Sequence, residues 1–322
     1  MSRLQKNIKT YVKENLGILV ALLAICIFLA VFPKTSGVFL TQRNIFNVLR
    51  QIAPNMFLAC GMLMVIILGG IDLSVGMVIA LSGCFAAGCV SRYGLPIPVA
   101  FLIGILVGVV VGMFNGIWIA KTTIPPFIVT LASMNISKGL AQVYTGGSPV
   151  RVVNDEWQFL GAGYLGPVPV PVILMLIVLI ITAFILNKTQ LGRHIYAVGG
   201  NPQAAKFSGI DAGKVKFLVH TYSGLMAGLA GVVWASRMYS GQPTAGEGAE
   251  MDAIAAVVVG GTSMSGGSGK IGGTIIGALI IGILNNGLNL LNVNSFWQDV
   301  VKGIVILLAV FIDYIKNSKA NS

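Results

Sequence analysis

Long apolar stretches separated by short polar connections follow one another along almost the whole chain. A bilayer core of about 30 Å takes roughly 20 mostly apolar residues per helix. The candidate crossings lie at 16–32, 52–69, 73–90, 95–120, 127–144, 168–186, 217–238, 271–291 and 297–311. A tenth stretch, 251–261, is too short to cross alone, so we expect it to cross with its Gly/Ser tail or to form a half-helix inside the protein. The pattern predicts an all-α, polytopic membrane helix bundle of about ten transmembrane segments.

Composition supports one membrane domain over residues 1–322. Of the 322 residues, 56% are hydrophobic and only 10% are charged, and the mean hydropathy is +0.87. A soluble protein carries about 25% charged residues. The net charge is +11, but the basic residues form no dense run with interleaved aromatic residues. We therefore expect the chain to contact membrane lipid rather than nucleic acid. The four cysteines lie in apolar runs without metal-like spacing.

The basic residues predict the orientation in the membrane. Stretch 16–32 is longer than the apolar part of a signal peptide, which predicts a retained first span. With the N-terminus inside and ten crossings, the inner Lys and Arg residues are Arg3, Lys6, Lys9, Lys13, Lys121, Lys188, Arg193, Lys206, Lys214, Lys216, Lys270, Lys316 and Lys319. The outer residues are Lys34, Arg43, Arg50, Arg92, Arg151 and Arg237. This excess inside predicts that both termini and the loop 187–216 are cytoplasmic.

The polar loop 187–216 encloses a short helix with signals for both of its ends. Asn201 is predicted to be the N-cap, Pro202 suits the first turn, and Gly209 can end the helix in the left-handed region. So short a helix has no independent stability in water, because nucleation costs more than one or two turns return. We therefore expect it to dock, and to receive mechanical input from a soluble partner.

Polar residues within the apolar stretches each admit two interpretations. Asp72, in GGIDLSVG (69–76), either caps the third segment or lies near a gate or a subunit contact. Buried amides on 271–291 need partners, so they form interhelical hydrogen bonds or line a watery path. The candidates for the translocation path or gate are Asp72, Ser74, Asn285, Asn286 and Asn289.

Small residues at every fourth position predict close packing between helices. Gly104, Gly108, Gly112 and Gly116 share one helix face, and Gly224 and Gly228 repeat the spacing. The segment GGSGK (266–270) resembles the end of a phosphate loop, but it lacks the earlier Gly and the following Ser or Thr. We expect no catalytic residue, metal site or cofactor site in this chain.

Five segments in order resemble the ribose-type permeases of bacterial ATP-binding cassette sugar importers. They are GGIDLSVG (69–76), VYTGGSPV (143–150), LGRHIYAVGGNPQAAKFSGI (191–210), QPTAGEGAEMDAIAAVVVGGTSMSGG (242–267) and NNGLNLL (285–291). The resemblance implies a homodimer with the fold of vitamin B12-type importers, in the bacterial inner membrane. It also implies a sugar-binding protein outside, and inside an ATPase that holds Mg-ATP.

The same resemblance assigns the capped helix as the coupling helix that contacts the ATPase. The residues implied in coupling are Arg193, Gly199, Gly200, Asn201, Pro202, Ala205, Lys206, Ser208 and Gly209. The implied cargo is a monosaccharide, D-ribose first, with xylose, galactose, arabinose, allose and autoinducer-2 as alternatives. A stand-alone secondary transporter is the other class, although the charged residues of the spans lie near helix ends and argue against ion coupling.

Overall fold

The computed structural model describes residues 16–320, so the basic residues predicted at positions 3–13 lie outside the described residues. The helices are α1 (Leu16–Val31), α2 (Ser36–Phe39), α3 (Gln42–Ile67), α4 (Val75–Ser91), α5 (Ile97–Lys121), α6 (Pro126–Thr145), α7 (Asp155–Ala162), α8 (Val170–Lys188), α9 (Gln190–Gly200), α10 (Pro202–Phe207), α11 (Ala212–Arg237), α12 (Ala249–Val259), α13 (Ile271–Leu290) and α14 (Ser295–Ala320). The predicted all-helical class is confirmed.

Among residues 16–320, five helices are long and apolar enough to cross a membrane: α3, α5, α8, α11 and α13. The helices α1 and α4 are apolar but shorter. Helix α12 spans 11 residues, which agrees with the short segment expected at 251–261. The described part of the chain is therefore a bundle with several candidate spans, and the count of ten remains a prediction.

Helix α11 lies at the centre of the bundle and packs against α5, α4 and α3. Along α5 and α11 the predicted close packing is present. A Cβ at Gly108 would lie 2.6 Å from the Cα of Gly228, and one at Gly112 would lie 2.9 Å from the Cα of Gly224. These positions leave room for backbone only, so the two helices touch along their glycine faces.

Helix α3 forms much of the core and runs from one end of the bundle to the other. Its residues from Met56 to Ile67 are all buried, and Pro54 lies inside the helix. Because proline has no N–H, the carbonyl of Arg50 lacks the usual helical hydrogen bond there, which favours a kink.

The segment 145–167 is partly ordered against the end of α11. Strand β1 (Val150–Arg151) pairs antiparallel with β4 (Ser240–Gly241), while β2 (Tyr164–Leu165) pairs with β3 (Val168–Pro169). In α7 the indole of Trp157 is fully buried and donates to the carbonyl of Ala235 at 3.3 Å. The hydroxyl of Ser236 donates back to the carbonyl of Trp157 at 2.6 Å. This double contact fastens α7 to α11.

The segment 187–216 differs from the single capped helix expected within a polar loop. Most of it is helical, because α9 precedes α10 and α11 begins at Ala212. Helix α9 buries Gly192, Ile195 and Val198, whose spacing of three residues forms one apolar face. Polar residues around this narrow face concealed the helix in the sequence.

Candidate functional site

Helix α10 has the caps that its sequence predicts. The Oδ1 of Asn201 accepts hydrogen bonds from the backbone N–H of Gln203 at 3.1 Å and of Ala204 at 2.9 Å. Pro202 occupies the first turn. At the other end Gly209 has φ +78°, and the N–H of Ile210 donates to the carbonyl of Ala205 at 3.0 Å. The predictions for Asn201, Pro202 and Gly209 as capping residues are confirmed.

The two faces of α10 have different environments. Ala205 is buried against its own chain, while Gln203, Lys206 and Ser208 are exposed. Phe207 is 91% exposed. An aromatic side chain this accessible on a short docked helix is a candidate contact for a partner protein. The sequence analysis did not single out Phe207, although it is the one aromatic residue of α10.

Helix α9, which leads directly into α10, packs on a platform formed by the end of α3 and the segment 262–270. The hydroxyl of Tyr196 donates to the carbonyl of Gly269 at 2.8 Å. Gly199 lies against the carbonyl of Ile67, which also accepts the N–H of Gly267 at 2.8 Å. Burial raises the pKa of Tyr196, so its hydroxyl stays protonated and keeps its donor role.

The glycines of GGSGK serve this platform. Gly266 and Gly267 have φ +85° and +73°, a conformation that side chains disfavour. A Cβ on Gly267 would lie 2.8 Å from the Cα of Gly200. These glycines therefore permit a tight turn and a close approach to α9, a role that the sequence analysis missed. Arg193 is exposed on α9.

Asp72 is the centre of a buried polar cluster in the connection between α3 and α4. Its Oδ1 accepts from the N–H and the hydroxyl of Ser74, at 3.1 and 2.6 Å. Its Oδ2 accepts from the hydroxyl of Ser223 at 2.8 Å, and Asn115 donates to the Ser74 hydroxyl at 2.9 Å. Asp72 is 1% exposed.

The prediction that Asp72 is the N-cap of the third segment is wrong. Helix α4 begins at Val75, and Ser74 holds the N-cap position without a side-chain capping bond. The carboxylate instead bonds within its own turn and across to α11. The cluster thus fastens the α3–α4 connection to the centre of the bundle.

A cavity of about 910 Å³ lies at the opposite end of α3. Helices α3, α11, α12, α13 and α14 contribute to its wall. The lining residues are Gln51, Pro54, Asn55, Trp234, Arg237, Met238, Gln242, Thr244, Ala245, Gly246, Glu247, Gly248, Ala249, Met251, Asp252, Asn285, Asn289, Gln298, Asp299, Lys302, Gly303 and Ile306. The volume lies within the usual range of small-molecule sites.

The three predicted asparagines of α13 have different environments. Asn285 and Asn289 line the cavity. Asn286 exchanges two amide hydrogen bonds with Asn44 of α3, at 3.1 and 3.0 Å, so it holds two helices together. Interhelical hydrogen bonding is thus observed for Asn286, whereas a translocation path lined by Asn285 and Asn289 remains a prediction. Asp72 and Ser74 are not among the lining residues.

Ion pairs surround the cavity. Lys302 lies 3.3 Å from Asp252 and 3.8 Å from Asp299. Asp252 on α12 is a further partner, 50 positions away in sequence, and no local pattern indicates it. Glu247 pairs with Lys138 of α6 at 3.1 Å.

The chain belongs to a family of transporter permeases. The family model described as "Branched-chain amino acid transport system / permease component" matches residues 44–310. With several apolar helices, membership in this family indicates a multi-pass membrane protein whose role is transport rather than catalysis.

Among its relatives are permeases for pentose sugars. The chain is 49% identical to the ribose import permease protein RbsC of Bacillus subtilis (strain 168) over 309 residues, 95% of each chain. It is 46% identical to the ribose import permease protein of Escherichia coli (strain K12), over 91% of this chain and 92% of that one.

A more distant relative is the xylose transport system permease protein of Haemophilus influenzae, which is 36% identical over 93% of this chain and 96% of its own. No solved structure matches. The resemblance to ribose-type permeases is confirmed.

Proposed function

We propose that the chain is the membrane subunit of an ATP-binding cassette importer that carries a monosaccharide, D-ribose, into the cell. The identities of 49% and 46% with ribose import permeases, each over more than nine tenths of the chain, support this cargo. The observation that carries the transport role is the position of α10. It is an exposed, doubly capped helix, fixed on the inner end of α3 at the other end from a polar cavity.

The proposed assembly is a homodimer with the fold of vitamin B12-type importers, in the inner membrane. Each subunit is one domain over residues 1–322 with ten segments, formed by α1, α3, α4, α5, α6, α8, α11, α12, α13 and α14. The excess of Lys and Arg on one side favours cytoplasmic termini. Helices α9 and α10 are then cytoplasmic, and the cavity opens toward the outside.

In this proposal α10 docks on a separate ATPase, which binds and hydrolyses Mg-ATP. Phe207 supplies apolar contact, and Lys206 and Arg193 supply charge. Asn201, Pro202, Ser208 and Gly209 fix the ends of the helix, and Ala205 packs its inner face. Gly199 allows close approach to the carbonyl of Ile67, and Gly200 presents its backbone to Gly267. Movement of the ATPase is passed through α9 to α3 and α11.

The cavity is the proposed outer part of the sugar path, where an external sugar-binding protein delivers its cargo. Asn285 and Asn289 line it, whereas Asn286 keeps α3 and α13 together. Asp72 and Ser74 lie between these two regions, because Asp72 bonds to Ser223 near the middle of α11 and Gly76 lies against Gly246 of the cavity wall. We assign them to the gate, as residues that hold the α3–α4 connection against α11.

A permease for another pentose is the second candidate, because xylose permeases are 36% and 35% identical over nearly the same span. Galactose, arabinose, allose and autoinducer-2 remain further alternatives within the class. A stand-alone secondary transporter is disfavoured, because Lys138 and Lys302, the lysines within the predicted spans, already pair with carboxylates of their own chain.

Reconstitution tests the function directly. The permease is placed in liposomes with its candidate ATPase and sugar-binding protein, and uptake of labelled D-ribose and D-xylose is measured. We expect ribose uptake that stops when ATP, the ATPase or the binding protein is omitted. Preferred uptake of xylose would reassign the cargo. Sugar flux without ATPase would contradict the importer and favour a secondary transporter or channel.

A further inference from the structure

Two amide oxygens in the cavity wall are buried without a hydrogen-bond partner among residues 16–320. They are the Oδ1 atoms of Asn55 on α3 and of Asn285 on α13. Asn285 is only 7% exposed. Buried amide oxygens are nearly always hydrogen-bonded, so two unpaired acceptors on the wall of one cavity indicate that a ligand donates to them.

The charges around the cavity disfavour a cationic ligand. The three acids of the lining each have a lysine partner: Asp252 and Asp299 pair with Lys302, and Glu247 pairs with Lys138. A cationic ligand would have to displace one of these lysines, whereas a neutral ligand can use the unpaired amide oxygens and leave the ion pairs intact. Arg237 of α11 also lines the cavity, and its guanidinium can donate to a hydroxyl oxygen of a neutral ligand.

The rest of the wall mixes polar and apolar groups. Gln51, Gln242 and Gln298 provide further amides, while Trp234 and Ile306 provide apolar surface. This combination suits a molecule that carries several hydroxyl groups on a ring with C–H faces. Hydroxyls donate to the amide oxygens, and the C–H faces contact the aromatic and aliphatic side chains.

We propose that Asn55 and Asn285 form a sugar-binding subsite within the permease, at which each Oδ1 accepts a hydrogen bond from a sugar hydroxyl. The permease itself then discriminates a fully hydroxylated sugar from its deoxy analogue, in addition to any selection by an external binding protein. This deepens the proposed function and rests on it for the class of ligand. A site built to bond a hydroxyl rejects an analogue without it, because the buried acceptor stays unpaired.

The test measures binding to the permease alone, in nanodiscs, by saturation-transfer NMR, which detects weak ligands. D-ribose is compared with 2-deoxy-D-ribose and 5-deoxy-D-ribose by titration. We expect wild type to bind ribose at least about tenfold more tightly than one or both deoxy sugars. In Asn285→Leu and Asn55→Leu, we expect affinities for ribose and its deoxy analogues to become nearly equal.

Asn135→Leu is the matched control, because Asn135 is an exposed amide of α6 that bonds within its own helix. It should keep the wild-type preference. If Asn285→Leu does not fold, judged by thermal unfolding, Asn285→Ser and Asn55→Leu give the same comparison. Equal wild-type affinities, or a preference that survives in the folded variants, would overturn the subsite. These binding measurements do not depend on ATP-driven uptake. A result that contradicts the subsite therefore leaves the proposed importer role untouched, and the reverse also holds.

Discussion

Gly199 lies directly against the carbonyl oxygen of Ile67, so the end of α9 touches the last residue of α3. The same oxygen accepts the N–H of Gly267 at 2.8 Å. Three segments of the chain therefore meet at one backbone atom. Because the contact involves backbone and not a flexible side chain, we expect a displacement of α9 to move the end of α3 by nearly the same distance.

This contact predicts different results for two adjacent glycines. In Gly199→Ala the new Cβ would overlap the Ile67 carbonyl, whereas a Cβ at Gly200 would have only the Cα of Gly267 nearby, at 4.0 Å. We expect Gly199→Ala to reduce ribose uptake by about tenfold or more and Gly200→Ala to leave uptake within about twofold. Uptake assays in the reconstituted importer measure both. Equal uptake by the two variants would contradict a mechanical role for the contact.

Phe207 should contribute to ATPase binding but not to the stability of the permease. Its side chain is 91% exposed, so Phe207→Ala removes little contact within the chain. We expect the variant to unfold at the wild-type temperature and to bind the ATPase more weakly by about 1–2 kcal/mol, or roughly 5- to 30-fold.

The control for Phe207 is Gln203→Ala, on the same exposed helix. Titration of the ATPase against permease in nanodiscs gives both affinities. A Phe207→Ala variant with wild-type affinity would show that α10 is not the docking surface.

The contact between α5 and α11 predicts a strong dependence on glycine. In Gly108→Ala the methyl group would meet the backbone of Gly224 and Gly228, and we expect a loss of about 1–3 kcal/mol in unfolding free energy. Gly139→Ala is the control, because nothing lies within 4 Å of the added Cβ. Denaturation in detergent compares the two. Helix propensity alone would make alanine stabilising at both positions. A loss of stability at position 108 but not at 139 would therefore come from the packing of α5 against α11.

The Asp72 cluster predicts that hydrogen bonding, rather than volume, holds the α3–α4 connection. Asp72→Leu leaves the Ser74 and Ser223 hydroxyls without their acceptor, and we expect a loss of about 2–5 kcal/mol in unfolding free energy. Asp72→Asn keeps one acceptor oxygen and its shape, so we expect a loss of less than half of that. Thermal and chemical unfolding measure both. Similar stability of the two variants would mean that the cluster contributes little.

The sequence predicts well what local chemistry determines. The caps of α10 depend on residues within five positions of one another, and the glycine spacing of α5 follows from helical periodicity. The bond from Ser223 to Asp72 joins residues 151 positions apart, so no local pattern contains it. The different environments of Asn285 and Asn286 depend on how α13 is rotated against α3, and neighbours in sequence cannot distinguish them. Helix α9 was missed because its apolar face is only three residues wide.

The glycine contacts between α5 and α11 make these two helices one rigid lever. Helix α11 begins four residues after Ser208, the C-cap of α10, and its 26 residues extend over about 39 Å. A tilt of about 5° at its first residue would move its last residue by about 3 Å, given that length. That last turn carries Trp234 and Arg237 of the cavity wall. In the proposed importer, a small rotation where α10 meets the ATPase would therefore become a larger change in the width of the cavity at the other end of α11.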